Sequence, residues 1–153
     1  MRVVIQRVNQ ASVSIEGKVF NEIKQGFLLL VAVEDADTEL DLDYAVKKLS
    51  QLRIFEDEQG KMNINIQDIS GEILSISQFT LFADLRKGTR PSFSKAGKPD
   101  FAKKMYELFN EKLNEYVPTK SGVFGADMKI SLENDGPVTV ILDSITMREK
   151  KNL

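Results

Sequence analysis

The chain contains no cysteine, no histidine and no tryptophan among its 153 residues. Lack of cysteine excludes disulfides, thiolate nucleophiles, iron–sulfur clusters and Cys-based zinc sites. Lack of histidine excludes Ser-His-Asp triads, His-ligated metals and the one side chain that titrates near neutrality unaided. Any acid/base work falls to carboxylates, lysine, tyrosine, the backbone or the substrate, and neither a metal nor a cofactor is expected. Long apolar runs are also missing: the longest, Phe27 to Val33, is far short of the ~20 residues of a membrane helix. The opening Met1–Arg7 is interrupted by Gln6 and Arg7 and does not read as a signal peptide. A soluble, cytoplasmic protein without membrane contact is the expectation. The formal charge of −2 argues against general affinity for nucleic acid, though not against a local basic patch. The length suits one domain, 1–153, large enough to hold a core without staples.

The periodicities give the elements. Val3 and Ile5, then Val13 and Ile15, alternate with polar or outward positions and read as strands. Gly26 starts an apolar run of strand length, which suits a central strand covered on both faces. Thr38 with Asp41 three residues on forms a capping-box start, and Leu42, Ala45, Val46, Leu49 and Leu52 follow at helical spacing. Gln59-Gly60 turns between two short strands. Gly71 restarts a strand that reads through Phe82. Pro99 and Asp100 open a second helix with the stripe Phe101, Met105, Leu108, Phe109, Leu113 and Tyr116. The end of the chain reads as a hairpin, 128–132 against 138–142 around Asn134-Asp135-Gly136-Pro137. The sum is α+β, with a mainly antiparallel or mixed sheet and two main helices.

Three features break local rules. Ser77, Gln78 and Thr80 place polar groups in an apolar strand, where each costs ~1–3 kcal/mol if buried unpartnered. They either bond to neighbouring loops or floor a pocket for a polar ligand. Asn134-Asp135-Gly136-Pro137 is either a plain turn or, with a cis Gly–Pro bond, a pair of like-directed carbonyl oxygens fit for an ammonium. Residues 86–104 hold seven bases against the single acid Asp100, whereas 34–43 hold six acids and no base. The acidic run reads as a solvated face and the basic one as a candidate phosphate contact, with Lys87 and Arg90 at its start. Arg7 shares a face with Val3 and Ile5, and needs a carboxylate or several carbonyls whether its role is structural or in a site.

Ser77-Gln78-Phe79-Thr80-Leu81 together with Asn134-Asp135-Gly136-Pro137-Val138-Thr139 closely resembles the D-aminoacyl-tRNA deacylase (D-tyrosyl-tRNA deacylase) family. Met1–Ser14, Gly88-Thr89-Arg90-Pro91-Ser92-Phe93 and Phe124-Gly125-Ala126-Asp127-Met128 fit the same pattern. The resemblance implies a homodimeric ester hydrolase that releases D-amino acids from the terminal adenosine of tRNA. It implies a cis Gly136–Pro137 peptide, held by Arg7, that reaches into the other subunit's site as a chirality filter. It implies that Ser77, Gln78, Phe79 and Thr80 line the ester pocket, and that Phe124, Gly125, Ala126 and Met128 cradle the adenine.

A filter that excludes a Cβ ignores the rest of the side chain, so many D-amino acids should be accepted, and glycyl esters mischarged on tRNA-Ala should pass too. With no base beside Thr80 in the sequence, backbone N–H groups near Phe79 and Thr80 are the expected oxyanion donors. Water activated by the ribose 2′-hydroxyl is then favoured over a threonine nucleophile. Two rivals remain: a non-catalytic RNA-end-binding module, and a carboxylate-metal esterase.

Overall fold

The computed structural model describes residues 1–151, which form a single α+β domain. The first strand, β1 (Arg2–Ile15), is one continuous element of 14 residues rather than two strands. It pairs antiparallel with β2 (Lys18–Ile23) through residues 11–15 and with β3 (Gly26–Ala32) through residues 2–8. β3 then pairs in parallel with β6 (Glu72–Ser77), and β6 in parallel with β7 (Thr119–Ser121), so the sheet is mixed. A separate ribbon pairs β4 (Arg53–Glu56) with β5 (Met62–Asn65) around the turn at Gly60.

The central-strand reading of β3 holds. Phe27, Leu29 and Val31 face one cluster with the helices, and Leu28 faces a second with Val13, Ile23 and Leu74. Gly26 is required where β3 meets β6, because a Cβ there would stand 1.7 Å from the Glu72 carbonyl oxygen. The two sheet helices pack on the first cluster. α1 (Glu39–Gln51) carries the expected capping box, Thr38 and Asp41 each serving the other's backbone. α2 (Pro99–Asn114) buries Ala102, Met105, Tyr106, Phe109 and Leu113. Tyr116 does not belong to that stripe; it lies beyond the helix and is exposed.

Four expectations need correction. The final segment is not a hairpin. Residues 129–143 form one strand, β8 (Lys129–Asp143), and both halves pair antiparallel with β1 instead of with each other. The turn signature is absorbed as an excursion: the four residues between Asn134 and Thr139 stand opposite Arg7 alone. Asn134 closes its base, accepting from Val138 N at 2.7 Å and donating to the Thr139 hydroxyl at 3.1 Å. Second, β6 stops at Ser77, and Phe79–Phe82 form a 3₁₀ turn. Period-2 facing therefore does not extend to Thr80 and Phe82. The reason is loss of partners: β3 ends at Ala32, and Gln78 N makes the last bond, to Val31 O at 2.8 Å.

Third, a third helix, α3 (Ser144–Lys151), follows β8. Fourth, the acidic run is largely engaged rather than simply solvated. Asp37 is buried against the Met1 amino group at 2.5 Å, Asp41 serves the α1 cap, and Asp43 binds Lys112 of α2 at 2.9 Å. Asp35 accepts from Lys98 N at 2.9 Å, fixing the start of α2. Among the described residues no helix is long and apolar enough to cross a membrane.

Candidate active site

A cavity of about 740 Å³ opens where the sheet runs out. Past Ser77 the chain turns through the 3₁₀ segment, with Leu81 N donating to Gln78 O at 3.2 Å and Ala83 N to Thr80 O at 3.0 Å. Past Ser121 the chain also leaves the sheet, as segment 122–128. The space between these departures is roofed by Phe93 to Pro99 and backed by α2. The roof is pinned at both ends: Asp84 and Ser92 bridge each other, and Gly97 N donates to Val33 O at 2.8 Å.

Ser77, Gln78, Phe79, Phe124, Gly125, Ala126 and Met128 all line this cavity. Two stretches singled out for separate roles thus meet in one place. Apolar walls from Val31, Ile76, Phe124 and Met128, with a few polar groups, suit a flat heterocycle with a polar rim. Phe79 and Phe93 meet edge-on at 5.1 Å, and Phe79 is exposed. Thr80 is not on the lining, but its hydroxyl accepts from Gln78 Nε2 at 2.6 Å. No carboxylate or lysine is bonded to it among the described residues. Phe79 and Thr80 open the 3₁₀ turn, where backbone N–H groups have no acceptor within the turn.

Arg7, Gly136 and Pro137 form a second group. Arg7 is 2% exposed, and it meets the demand read from its sequence position with carbonyls first. Its Nη1 donates to Ile54 O at 2.8 Å and its Nε to Asp135 O at 3.0 Å, with the Asp135 and Glu56 carboxylates at 3.5 and 3.7 Å. The Gly136–Pro137 peptide is cis. Gly136 has φ +136, and a Cβ on it would stand 2.7 Å from Val138 Cγ2 and 3.2 Å from Arg7 Nη2, so only glycine fits.

This group is not at the cavity of its own chain. Arg7 is level with Phe27 and Ile73, whereas Ser77 is level with Val31 and Val3. Four residues along the strands and two strands across put the two backbones roughly 16 Å apart at standard sheet spacings. Lys87 and Arg90 are exposed in the loop before the roof and do not line the cavity.

The family model for D-Tyr-tRNA(Tyr) deacylase matches residues 4–143. The chain belongs to that family. Membership makes this deacylase an ester hydrolase. A solved structure named c-Myc DNA Unwinding Element Binding Protein is similar at 40% identity and a TM-score of 0.88, covering 94% of this chain and 98% of that one. A second, a probable eukaryotic D-amino acid tRNA deacylase, shares the fold at 20% identity and a TM-score of 0.79, covering 93% and 98%.

Tyr106 is a lining residue of the deacylase that sequence reasoning missed, whereas Phe93, Lys98 and Asp127 fall within stretches already singled out, the 88–93 loop, the basic run and the 124–128 segment. Tyr106 was legible in principle, since it adjoins Met105 on the helix stripe and carries a polar tip that a buried site must satisfy. Asp127 sits at the rim, its carboxylate 86% exposed and 3.2 Å from Lys129 Nζ.

Proposed function

We propose that this deacylase hydrolyses the ester of D-aminoacyl-tRNA, with the terminal adenosine in the cavity between Ser77–Phe79 and Phe124–Met128. The observation that carries the reading is the convergence of those two stretches on one cavity of nucleoside size. Water adds to the ester carbonyl carbon and the tetrahedral oxyanion is held by N–H groups of Phe79 and Thr80, aided by Gln78. Collapse breaks the bond to the ribose 3′-oxygen, which takes a proton as the free D-amino acid leaves. The inventory around the cavity favours the ribose 2′-hydroxyl as the group that orders the water. Thr80 is bonded to an uncharged amide, the Tyr106 hydroxyl is committed to a carbonyl, and Asp127 lies exposed beside a lysine.

Stereochemical choice belongs to Gly136 and Pro137, braced by Arg7 and delivered by a second copy of the chain into this cavity. Their distance from the chain's own cavity supports that arrangement. So does the outer edge of β8, which pairs with no other strand among the described residues and exposes Leu132 and Ile141. A filter that excludes Cβ also admits glycyl-tRNA. The exposed Lys87 and Arg90 meet the acceptor-stem phosphates, and the work is done in the cytoplasm, where charged tRNA is found.

Parallel hydrolysis of D-tyrosyl-tRNA and L-tyrosyl-tRNA tests the reading, with release of the D-residue alone expected. Thr80→Ala should keep substantial activity and a 2′-deoxy terminal adenosine should lose it; the opposite pair of results makes Thr80 the nucleophile. Equal, unaccelerated loss of both esters leaves only a nucleic-acid-binding module. Competition by duplex DNA then examines the property that names the 40%-identical relative.

A further inference from the structure

Tyr106 lines the cavity, yet the chemistry proposed above gives its hydroxyl no part in the reaction. The ring stands 6.1 Å from that of Phe124. The hydroxyl donates a 2.6 Å hydrogen bond to the carbonyl oxygen of Ser75. That same oxygen accepts from Gly122 N at 3.2 Å. Three pieces of the site therefore meet at one atom: α2 through Tyr106, β6 two residues before Ser77, and the first residue of segment 122–128.

The position along β6 gives this meeting point its leverage. β6 is paired with β7 only as far as Ser75, opposite Ser121. Beyond Ser75 the ladder continues on the β3 side alone, ending at Ser77 opposite Val31. Ser75 is the last residue before the 3₁₀ turn that is held from both sides. Its own Oγ is buried with no hydrogen-bond partner among the described residues, so the backbone carbonyl carries the fixation. Burial pushes the Tyr106 hydroxyl above its ordinary pKa. The group stays a proton donor throughout the working range.

We propose that Tyr106 is a positioning residue, whose hydroxyl clamps Ser75 O and thereby sets Ser77–Thr80 against the segment that receives the nucleoside. The inference rests on the deacylase site proposed above. Helix packing needs only the ring; the hydroxyl is what ties the helix to the strand end.

Tyr106→Phe keeps the ring and removes the clamp. With D-tyrosyl-tRNA as substrate, kcat should fall about tenfold while KM stays within about twofold, at a temperature well below the melting midpoint. Tyr106→Leu, which also removes the ring, should raise KM at least about threefold in addition. Amide hydrogen exchange at Gln78 and Leu81, whose N–H groups are bonded to Val31 O and Gln78 O, should speed up at least about tenfold in Tyr106→Phe, and this readout does not depend on activity. Wild-type kcat in Tyr106→Phe, unchanged exchange, or a kcat fully restored by cooling would each overturn the proposal. Failure of the wild-type protein to hydrolyse D-tyrosyl-tRNA would instead sink the deacylase reading, and the exchange measurement would still decide the clamp.

Discussion

Replacing Arg7 with methionine removes a buried cation but keeps an unbranched side chain of similar reach. The two carbonyls it serves do not lose equally. Ile54 O accepts in a fully buried bond of 2.8 Å, and an orphaned buried acceptor costs ~1–3 kcal/mol. Asp135 O is only partly buried and regains much of its loss from water. The carboxylates contribute little, since Glu56 and Asp135 side chains are 58% and 43% exposed and lie at 3.7 and 3.5 Å. The net expectation is a loss of about 2–4 kcal/mol. For a chain of this size that lowers the melting midpoint by roughly 5–15 °C. Because carbonyls dominate, the deficit should be nearly the same at low and high salt. A thermal melt of both proteins at two salt concentrations settles it. If Arg7→Met melts within a degree or two of wild type, or its deficit disappears in high salt, the carbonyl account is wrong. On the proposed mechanism the same variant, assayed while folded, also loses D-over-L preference.

Gly26→Ala should be among the most damaging single changes. Relieving a 1.7 Å contact with Glu72 O means parting β3 from β6, and a cost of about 4 kcal/mol or more by urea unfolding is expected. Gly17→Ala, at φ +77 with nothing within 4 Å, should cost only about 1 kcal/mol. Similar losses in the two would contradict the clash argument. Arg86 is bonded to Asp84 at 2.7 and 2.9 Å and holds that carboxyl well below the usual carboxylate range. A depressed pKa means the pair's contribution is present above the unfolded value of ~3.9 and lost as pH falls through the lower folded value. The Asp84–Arg86 pair should therefore survive at pH 4, and an NMR midpoint for Asp84 near 4 would refute this. Lys87→Ala and Arg90→Ala should each weaken tRNA binding and flatten its salt dependence by about one phosphate contact; unchanged slopes would remove them from the interface.

The sequence was most legible where one physical rule acted alone. Thr38 and Asp41 announced the α1 cap, Phe27–Val33 announced a strand buried on both faces, and Pro99 announced α2. It misled where local and distant partners compete. Asn134-Asp135-Gly136-Pro137 has every property of a hairpin turn, and only the presence of a 14-residue β1 able to pair both flanks makes it an excursion instead. The strand after Gly71 kept its alternation to Phe82, but alternation says nothing about where neighbouring strands stop. The same limit governs the site. Ser77–Phe79 and Phe124–Met128 stood out as motifs, while Tyr106 and Phe93 reach the cavity only through the placement of α2 and its preceding loop.

The way Asn134 ties off β8 separates two jobs that most strands combine. Its amide bridges Val138 and Thr139 across the neck, so the ladder resumes on β1 whatever the protruding residues do. Within the protruding tip Gly136 is fixed by its surroundings, while Asp135 meets Arg7 mainly through its carbonyl and leaves its half-exposed side chain open to change. Substitutions at Asp135 offer a route to altered selectivity that leaves the rest of the scaffold in register.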